Sequence, residues 1–538
     1  MTIEIKELKR REFLLFMGSA ALSTLFPTGC TSTSGSRNTH FPLKSLPINF
    51  NDQLTTIDGL NFTILIKEGD LINKEGVQFG TNNDYLALIK AEKDDLFYLV
   101  VNHESVHPLL SFGNEQFSRD SQWIDPEMKS VGVSILKIQK MDSTYKVVFN
   151  DPHNRRIDAN SPIPIISERK IGNTTIARGT LANCAGGVTP WGTTLTCEEN
   201  FADFVGDRPR SRKTIRQSKN QFQWFLHHEM PPEHYGWVVE INPKTGNSKK
   251  LTSLGRMAHE GATVTKSKDG RAVVYLGDDD NDRCLYKFIS SNSNSLERGD
   301  LYVAHLESGK WISLNRNNNP KLKETFTDQT ELLIYTREAA TLVGGSKLDR
   351  PEDIEVDPLT SAVYICLTNN VPMNRPHGSI LKIIEENNDA GSLSFTASTF
   401  VLGGEETGFS SPDNLAIDRN GNLWLTNDVS GSNIGKPEYA FSGNNGLYFI
   451  PLAGHWAGQA IRVASAPKDA EFTGPQFSPD GQSLFLSVQH PGETSTSLKQ
   501  LTSHWPNGGN SIPKSAVVVL SGQTMEYLLG PDFQRTKI

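Results

Sequence analysis

A chain of 538 residues can bury a large core, and 37% hydrophobic with 21% charged residues is ordinary globular composition. A formal net charge of −8 leaves no basic footprint for nucleic acid, so an anionic substrate would need local positive charge from metal ions or arginine. The 44 Gly and 28 Pro are scattered at turns, not gathered in a linker, which favours many short strands over long helices.

At the amino terminus, Lys9-Arg10-Arg11-Glu12-Phe13-Leu14 leads into an apolar run over 14–26, broken by Gly18, Ser19, Ser23 and Thr24. Basic, then apolar, then small residues read as an export signal over 1–30, too short for a spanning helix. The paired arginines before Phe13-Leu14 resemble a twin-arginine signal, with a plain secretory signal as the alternative. Cys30, after Thr28-Gly29, is a candidate for lipid attachment. The protein is therefore expected to be exported: periplasmic, extracellular, or lipid-anchored at the cell envelope. Residues 31–50 read as a flexible tether, and 51–538 as one domain. Cys197, Cys284 and Cys366 lie in or beside apolar runs and read as buried thiols, since five cysteines do not make a disulfide scaffold in a chain this long.

Six hairpins follow in chain order, at 94–104, 189–199, 268–279, 357–370, 418–428 and 478–490. Each sets turn residues before an apolar strand that ends in a polar or acidic group. With extra strands such as 237–241 between some of them, the pattern predicts an all-β fold: a six-bladed β-propeller with inserted strands and loops. A pair of β-sandwiches with Asp-Gly hairpins is the alternative.

The strand before each hairpin turn carries the chemistry. Four residues before its last apolar position stand Asp84, Cys184, Glu260, Glu352 and Asp413, counted from Leu88, Val188, Val264, Val356 and Ile417. The sixth copy gives Thr473 from Phe477, with Glu471 two residues earlier. A period of two keeps residues four apart on one side, so a ligand type recurs at one register, which a propeller brings to its channel mouth. A second set closes each hairpin: Glu104, Glu198-Glu199, Asp278-Asp279-Asp280, Asn369-Asn370, Asn427-Asp428 and His490. Taken singly, an Asp or Asn at a strand end is better explained by a turn than by a ligand role. Two rings of carboxylates around one axis are not, because without cations they would repel one another and take up protons. A thiolate at Cys184 selects a transition metal, while carboxylates suit calcium and also serve ferric iron.

These segments resemble the PhoX-type alkaline phosphatase family over about residues 60–520. The motifs are Asn102-His-Glu104, the Cys184 segment 183–200, the segments 255–262 and 350–358, Ser411-Pro-Asp-Asn414, and the segments 471–475 and 488–493. The resemblance implies a propeller whose central channel holds a cluster of Fe3+ and Ca2+ around an oxo bridge, and hydrolysis of phosphomonoesters. By the same resemblance Cys184 and Glu199 would serve iron, and Glu260, Asp279, Glu352, Asp413 and Glu471 would complete the iron and calcium shells. Arg350 would grip the phosphate, as a guanidinium can with two parallel hydrogen bonds. The nucleophile would be the oxo group or a metal-bound hydroxide, so no Ser or His nucleophile is required. Small phosphomonoesters are the expected partners and a monomer the expected state.

Other readings stay open at this point. A lactonase-like calcium propeller or a non-catalytic binding propeller would use a similar carboxylate ring. Cys184 could be a buried thiol or a covalent nucleophile, and Arg350 a surface ion-pair partner. His103, His259 and His490 are expected to orient neighbouring carboxylates. Trp191 and Trp424 are expected to pack between blades. No glycine-rich phosphate loop and no Ser-centred nucleophile elbow is evident.

Overall fold

The computed structural model describes residues 41–535, apart from 143 and 219–221. The expected export signal, Cys30 and the first part of the tether lie outside the described residues. Each of the six hairpins opens one sheet, antiparallel throughout except that Ser248–Leu251 and Pro162–Ile166 of the second pair in parallel. The inner strands, in blade order, are Asn83–Lys90, Asn183–Val188, His259–Lys266, Pro351–Val356, Pro412–Ile417 and Glu471–Phe477. Each touches the inner strand of the blade before and after it, and the sixth touches the first. The sequence therefore folds as a six-bladed β-propeller.

The ring is closed by the early chain. The last blade takes its outer strand from Asn61–Lys67, which pairs with Ala516–Ser521 from near the carboxyl end. The fifth blade gains the short strand Thr55–Thr56, paired at Ser465 and Ala464. Residues 43–50, expected as tether, form no strand, yet they are tied down. The Leu46 amide donates to the Arg462 carbonyl at 2.8 Å, and the Asn49 carbonyl accepts from the Asn444 amide at 3.0 Å.

Burial between blades supplies the adhesion. Leu86, Leu99 and Val101 of the first blade meet Phe485, Val517 and Val519 of the sixth. The opposite face of that blade, through Ala87, Tyr98 and Val100, meets Val239 and Ile241 of the second. Fully burying one such side chain contributes roughly 1.5–3 kcal/mol. Trp424 packs edge-on against Phe477 of the sixth blade, 5.5 Å between centroids, and its indole donates to Asp418. Trp191 packs at the junction of the second and third blades and donates to Glu240 at 2.8 Å. Cys197, Cys284 and Cys366 are buried free thiols.

Candidate metal centre

One irregularity, repeated, aims the side chains. In five inner strands the ladder skips between Asn83 and Leu86, Asn183 and Gly186, His259 and Ala262, Pro351 and Ile354, and Pro412 and Leu415. Two residues there oppose one on the partner strand, which is a β-bulge. The first residue of each bulge is Asp84, Cys184, Glu260, Glu352 or Asp413. The bulge corrects the alternation argument. A period of two does not run unbroken from Asp84 to Leu88, because Asp84 and Tyr85 together oppose Asn102. The four-residue offset found the right positions because the same bulge recurs at the same place.

A second device accompanies it. The residue two before the ligand-type position takes a left-handed backbone at Asn82 (φ 40°), Ala182 (52°), Arg350 (54°), Ser411 (53°) and Asp469 (60°). For a non-glycine residue this costs of order 1–3 kcal/mol and persists only where the surroundings enforce it. Asp469 stands two before Glu471, which makes Glu471 the sixth counterpart. In that blade the bulge is displaced to Gly474-Pro475, and a Cβ on Gly474 would lie 2.7 Å from the Leu86 amide nitrogen.

Three groups of donors have ligand atoms within 4.8 Å of one another: Asp84, Glu104 and Cys184; Cys184, Glu199 and Glu260; Glu260, Asp279 and Glu352. Cys184 and Glu260 are each shared, so the groups form one continuous chain across four blades. Cys184 Sγ lies 3.2 Å from Glu260 Oε1 and 3.5 Å from Asp84 Oδ2. Asn102, opposite the first bulge, donates to the Cys184 carbonyl at 2.5 Å and fixes the second bulge beside the first. Asn200 bridges Glu199, at 2.7 Å, and Glu104, at 3.3 Å. Asp413 and Glu471 belong to none of the three groups. They face the same channel, where Asp413 feels the charges of Glu352, Glu471, Asp428 and Asp84. Glu471 Oε1 lies 2.7 Å from His490 Nε2.

Arg350 is the guanidinium of the set. Its Nε and Nη2 donate to the two oxygens of Asp279, at 2.8 and 2.7 Å, and Nη2 also lies 2.8 Å from Glu352. Nη1 makes no hydrogen bond among the described residues. Arg350 is thus a channel residue paired with two of the expected ligands, not a surface ion-pair partner.

The electrostatics follow from burial. Desolvation first, and then neighbouring carboxylates, hold Asp84, Glu199, Glu260, Glu352, Asp413 and Glu471 well above the usual carboxylate range. The same two causes push the Cys184 thiol well up. Burial also acts on Asp279, but the charge and hydrogen bonds of Arg350 outweigh it and the carboxyl falls below its ordinary value. Asp84 Oδ1 is buried with no hydrogen-bond partner. Bound cations would answer both facts, by giving the orphaned oxygen a partner and by making the ionised forms favourable. The donor set, with one sulfur among many oxygens, fits a mixed cluster of a transition metal and harder cations.

The second ring divides by parity. In five blades the residue just after the second strand, Glu104, Glu199, Asp279, Asp428 or His490, belongs to the channel; in the fourth that place is Thr368, and the expected pair Asn369-Asn370 lies beyond it, bonded to Ser411 and Asp349. The residue before the channel position is structural. Glu198 accepts from Lys250 at 2.6 Å and from Thr180 at 2.9 Å, and Asp278 pairs with Arg337. Asn427 holds the Gly446 amide at 2.7 Å. Both side chains of the Glu198–Lys250 pair are fully buried. Lys250→Met would strand a buried carboxylate and is expected to lose about 3–5 kcal/mol in denaturant unfolding, with Glu198→Gln in the same chain restoring part of it. Two expectations fail here. His103 bonds Thr81 and Ser134, and His259 bonds the Gly255 carbonyl, so neither orients a carboxylate. His490 does. Asp84, Glu104 and Asp428 stood in the two rings but were not in the set implied by the resemblance, although Glu104 closes one of its motifs.

Comparison with known proteins places the chain in a family. The family described as alkaline phosphatase PhoX matches residues 41–492. Pseudomonas fluorescens PhoX, solved in complex with vanadate, a transition state analogue, is similar at 29% identity and a TM-score of 0.80. That match covers 90% of this chain and 98% of the other. A gluconolactonase from Xanthomonas campestris covers 90% of this chain and 99% of its own, at 10% identity and a TM-score of 0.38. No curated protein sequence matches the chain.

Proposed function

Because the chain belongs to the PhoX alkaline phosphatase family and is a phosphatase by that membership, we propose that it hydrolyses small phosphomonoesters at a mixed iron and calcium centre in the propeller channel. The observation that carries the reading is the continuous chain of donors from Asp84 to Glu352, with one thiol inside it. Cys184 and Glu199 would hold iron, and Glu260, Asp279, Glu352, Asp413 and Glu471 the remaining coordination. Asp84 and Glu104 are added to that set by their place beside Cys184. Clustered cations supply neutralisation of phosphoryl oxygens and acidify water for attack on phosphorus.

The chain's own residues do the rest. Bulges on separate blades fix the donors on short, paired strands, so the site is preorganised before substrate arrives. Arg350 holds Asp279 and Glu352 in place and presents Nη1 to a phosphoryl oxygen. His490 orients Glu471. Asn102 and Asn200 lock the second blade's donors to the first. Export through the segment 9–26, with Cys30 either removed or acylated, and a monomeric state complete the reading.

Elemental analysis of the purified protein beside p-nitrophenyl phosphate hydrolysis tests it. Iron together with calcium is expected, and calcium alone would overturn the mixed centre. Arg350→Ala is expected to raise KM and the phosphate inhibition constant about tenfold or more, by loss of a charged hydrogen bond, while the metals stay bound. Unchanged kinetics would remove Arg350 from substrate binding.

A further inference from the structure

A cavity of about 1050 Å³ lies where the first blade meets the sixth, and none of the candidate metal ligands lines it. Five cationic side chains do: Lys129, Arg155, Arg156, Arg178 and Lys514. In a chain with a net charge of −8 such a gathering is unexpected, and its chemistry is unusual too. None of the five forms an ion pair among the described residues. Neutral oxygens hold four of them instead. Arg156 donates to Ser134 Oγ at 3.1 Å and to the Ser130 carbonyl at 2.7 Å. Arg155 donates to the carbonyls of His153, at 2.9 Å, and Thr245, at 2.8 Å. Arg178 donates to Asn160 Oδ1 at 2.8 Å, and Lys514 to the Glu68 carbonyl at 3.1 Å. Carbonyl and amide oxygens orient a cation without cancelling its charge, so the cavity keeps a positive field.

Four acids share the lining, Glu68, Glu75, Asp125 and Asp158, and offset part of that field. Among the described residues none of them forms an ion pair with the five cations: Asp125 meets His228 at 2.8 Å, and Asp158 accepts from the Asn160 amide at 2.9 Å. Arg156 Nε is buried with no hydrogen-bond partner. The backbone makes room for that arginine, since a Cβ on Gly80 would sit 2.0 Å from Arg156 Nη1. Phe79, Leu110, Phe112 and Ile512 give the same cavity an apolar wall.

We propose that this cavity is a second ligand site, separate from the metal centre, for an organic anion with a phosphate or carboxylate head and an apolar body. The head would meet the arginines and lysines, and the body would lie on the apolar wall. The site does not depend on the phosphatase reading, and its test reads binding, not turnover.

The probe is octylphosphonate, whose carbon–phosphorus bond a phosphatase does not hydrolyse, titrated calorimetrically into the metal-loaded protein. Inorganic phosphate and octyl glucoside report the head alone and the tail alone. Two equivalents of octylphosphonate are expected, one competing with p-nitrophenyl phosphate and one not. Lys129→Glu with Lys514→Glu, both outside the catalytic machinery, is expected to weaken the non-competing equivalent about tenfold or more while kcat/KM stays unchanged. Tighter binding of octylphosphonate than of phosphate at that site supports the apolar wall. A single, wholly competitive equivalent would overturn the proposal. So would a second equivalent that the double variant leaves intact, or one matched by octyl glucoside. Arg178→Gln, with Arg178 held only by Asn160 Oδ1 and the fold checked by its melting curve, gives an independent charge removal with the same expected direction.

Discussion

Glu260→Gln is expected to cost about a thousandfold or more in kcat/KM, the largest single-residue effect in the channel, because several kcal/mol of transition-state stabilisation run through bound cations. The argument rests on connectivity. Glu260 is the carboxylate common to two of the three donor groups, and its Oε1 is 3.2 Å from the Cys184 sulfur. An amide keeps the shape and removes the charge, so the fold should survive while metal content falls. Thermal unfolding and metal analysis on the same sample separate the two. Full metal occupancy with normal turnover would show that Glu260 is a bystander.

Deleting residues 1–67 is expected to prevent folding altogether, whereas a chain starting at residue 41 should fold. The deletion removes Asn61–Lys67 and Thr55–Thr56, and thereby the outermost strands of two blades. It would bare the edge of Ala516–Ser521, an Ala-Val-Val-Val-Leu-Ser strand that is buried along most of its length. An uncovered apolar edge strand invites pairing with other chains, and the ring would lose its closure. The expected outcome is aggregated protein on expression; a soluble, cooperatively unfolding product would refute it.

Much of the architecture is legible in the sequence. Asp-Gly and Asn-Gly turns at 269–270, 420–421 and 480–481 sit between apolar runs, and such local signals survive into the fold because they are local. The closure could not be read, since the pairing of Phe62 with Leu520 is a contact between chain ends and leaves no mark on either segment. In the channel, residue type and offset located the donors. The bulges that turn them inward were invisible, because an extra residue in a strand has no composition of its own. Parity in the second ring was equally hidden: Glu198 and Glu199 are the same amino acid, and only the ladder decides that the first meets Lys250 and the second the channel. The left-handed Ala182 and Arg350 are further cases, for neither residue type announces that backbone.

The channel also concentrates negative charge. Asp84, Glu104, Glu199, Glu260, Asp279, Glu352, Asp413, Asp428 and Glu471 are nine acids gathered around Arg350 and His490. Stripping the channel's cations should move the isoelectric point toward acid, and refilling it should bring the protein back, with no change elsewhere on the surface.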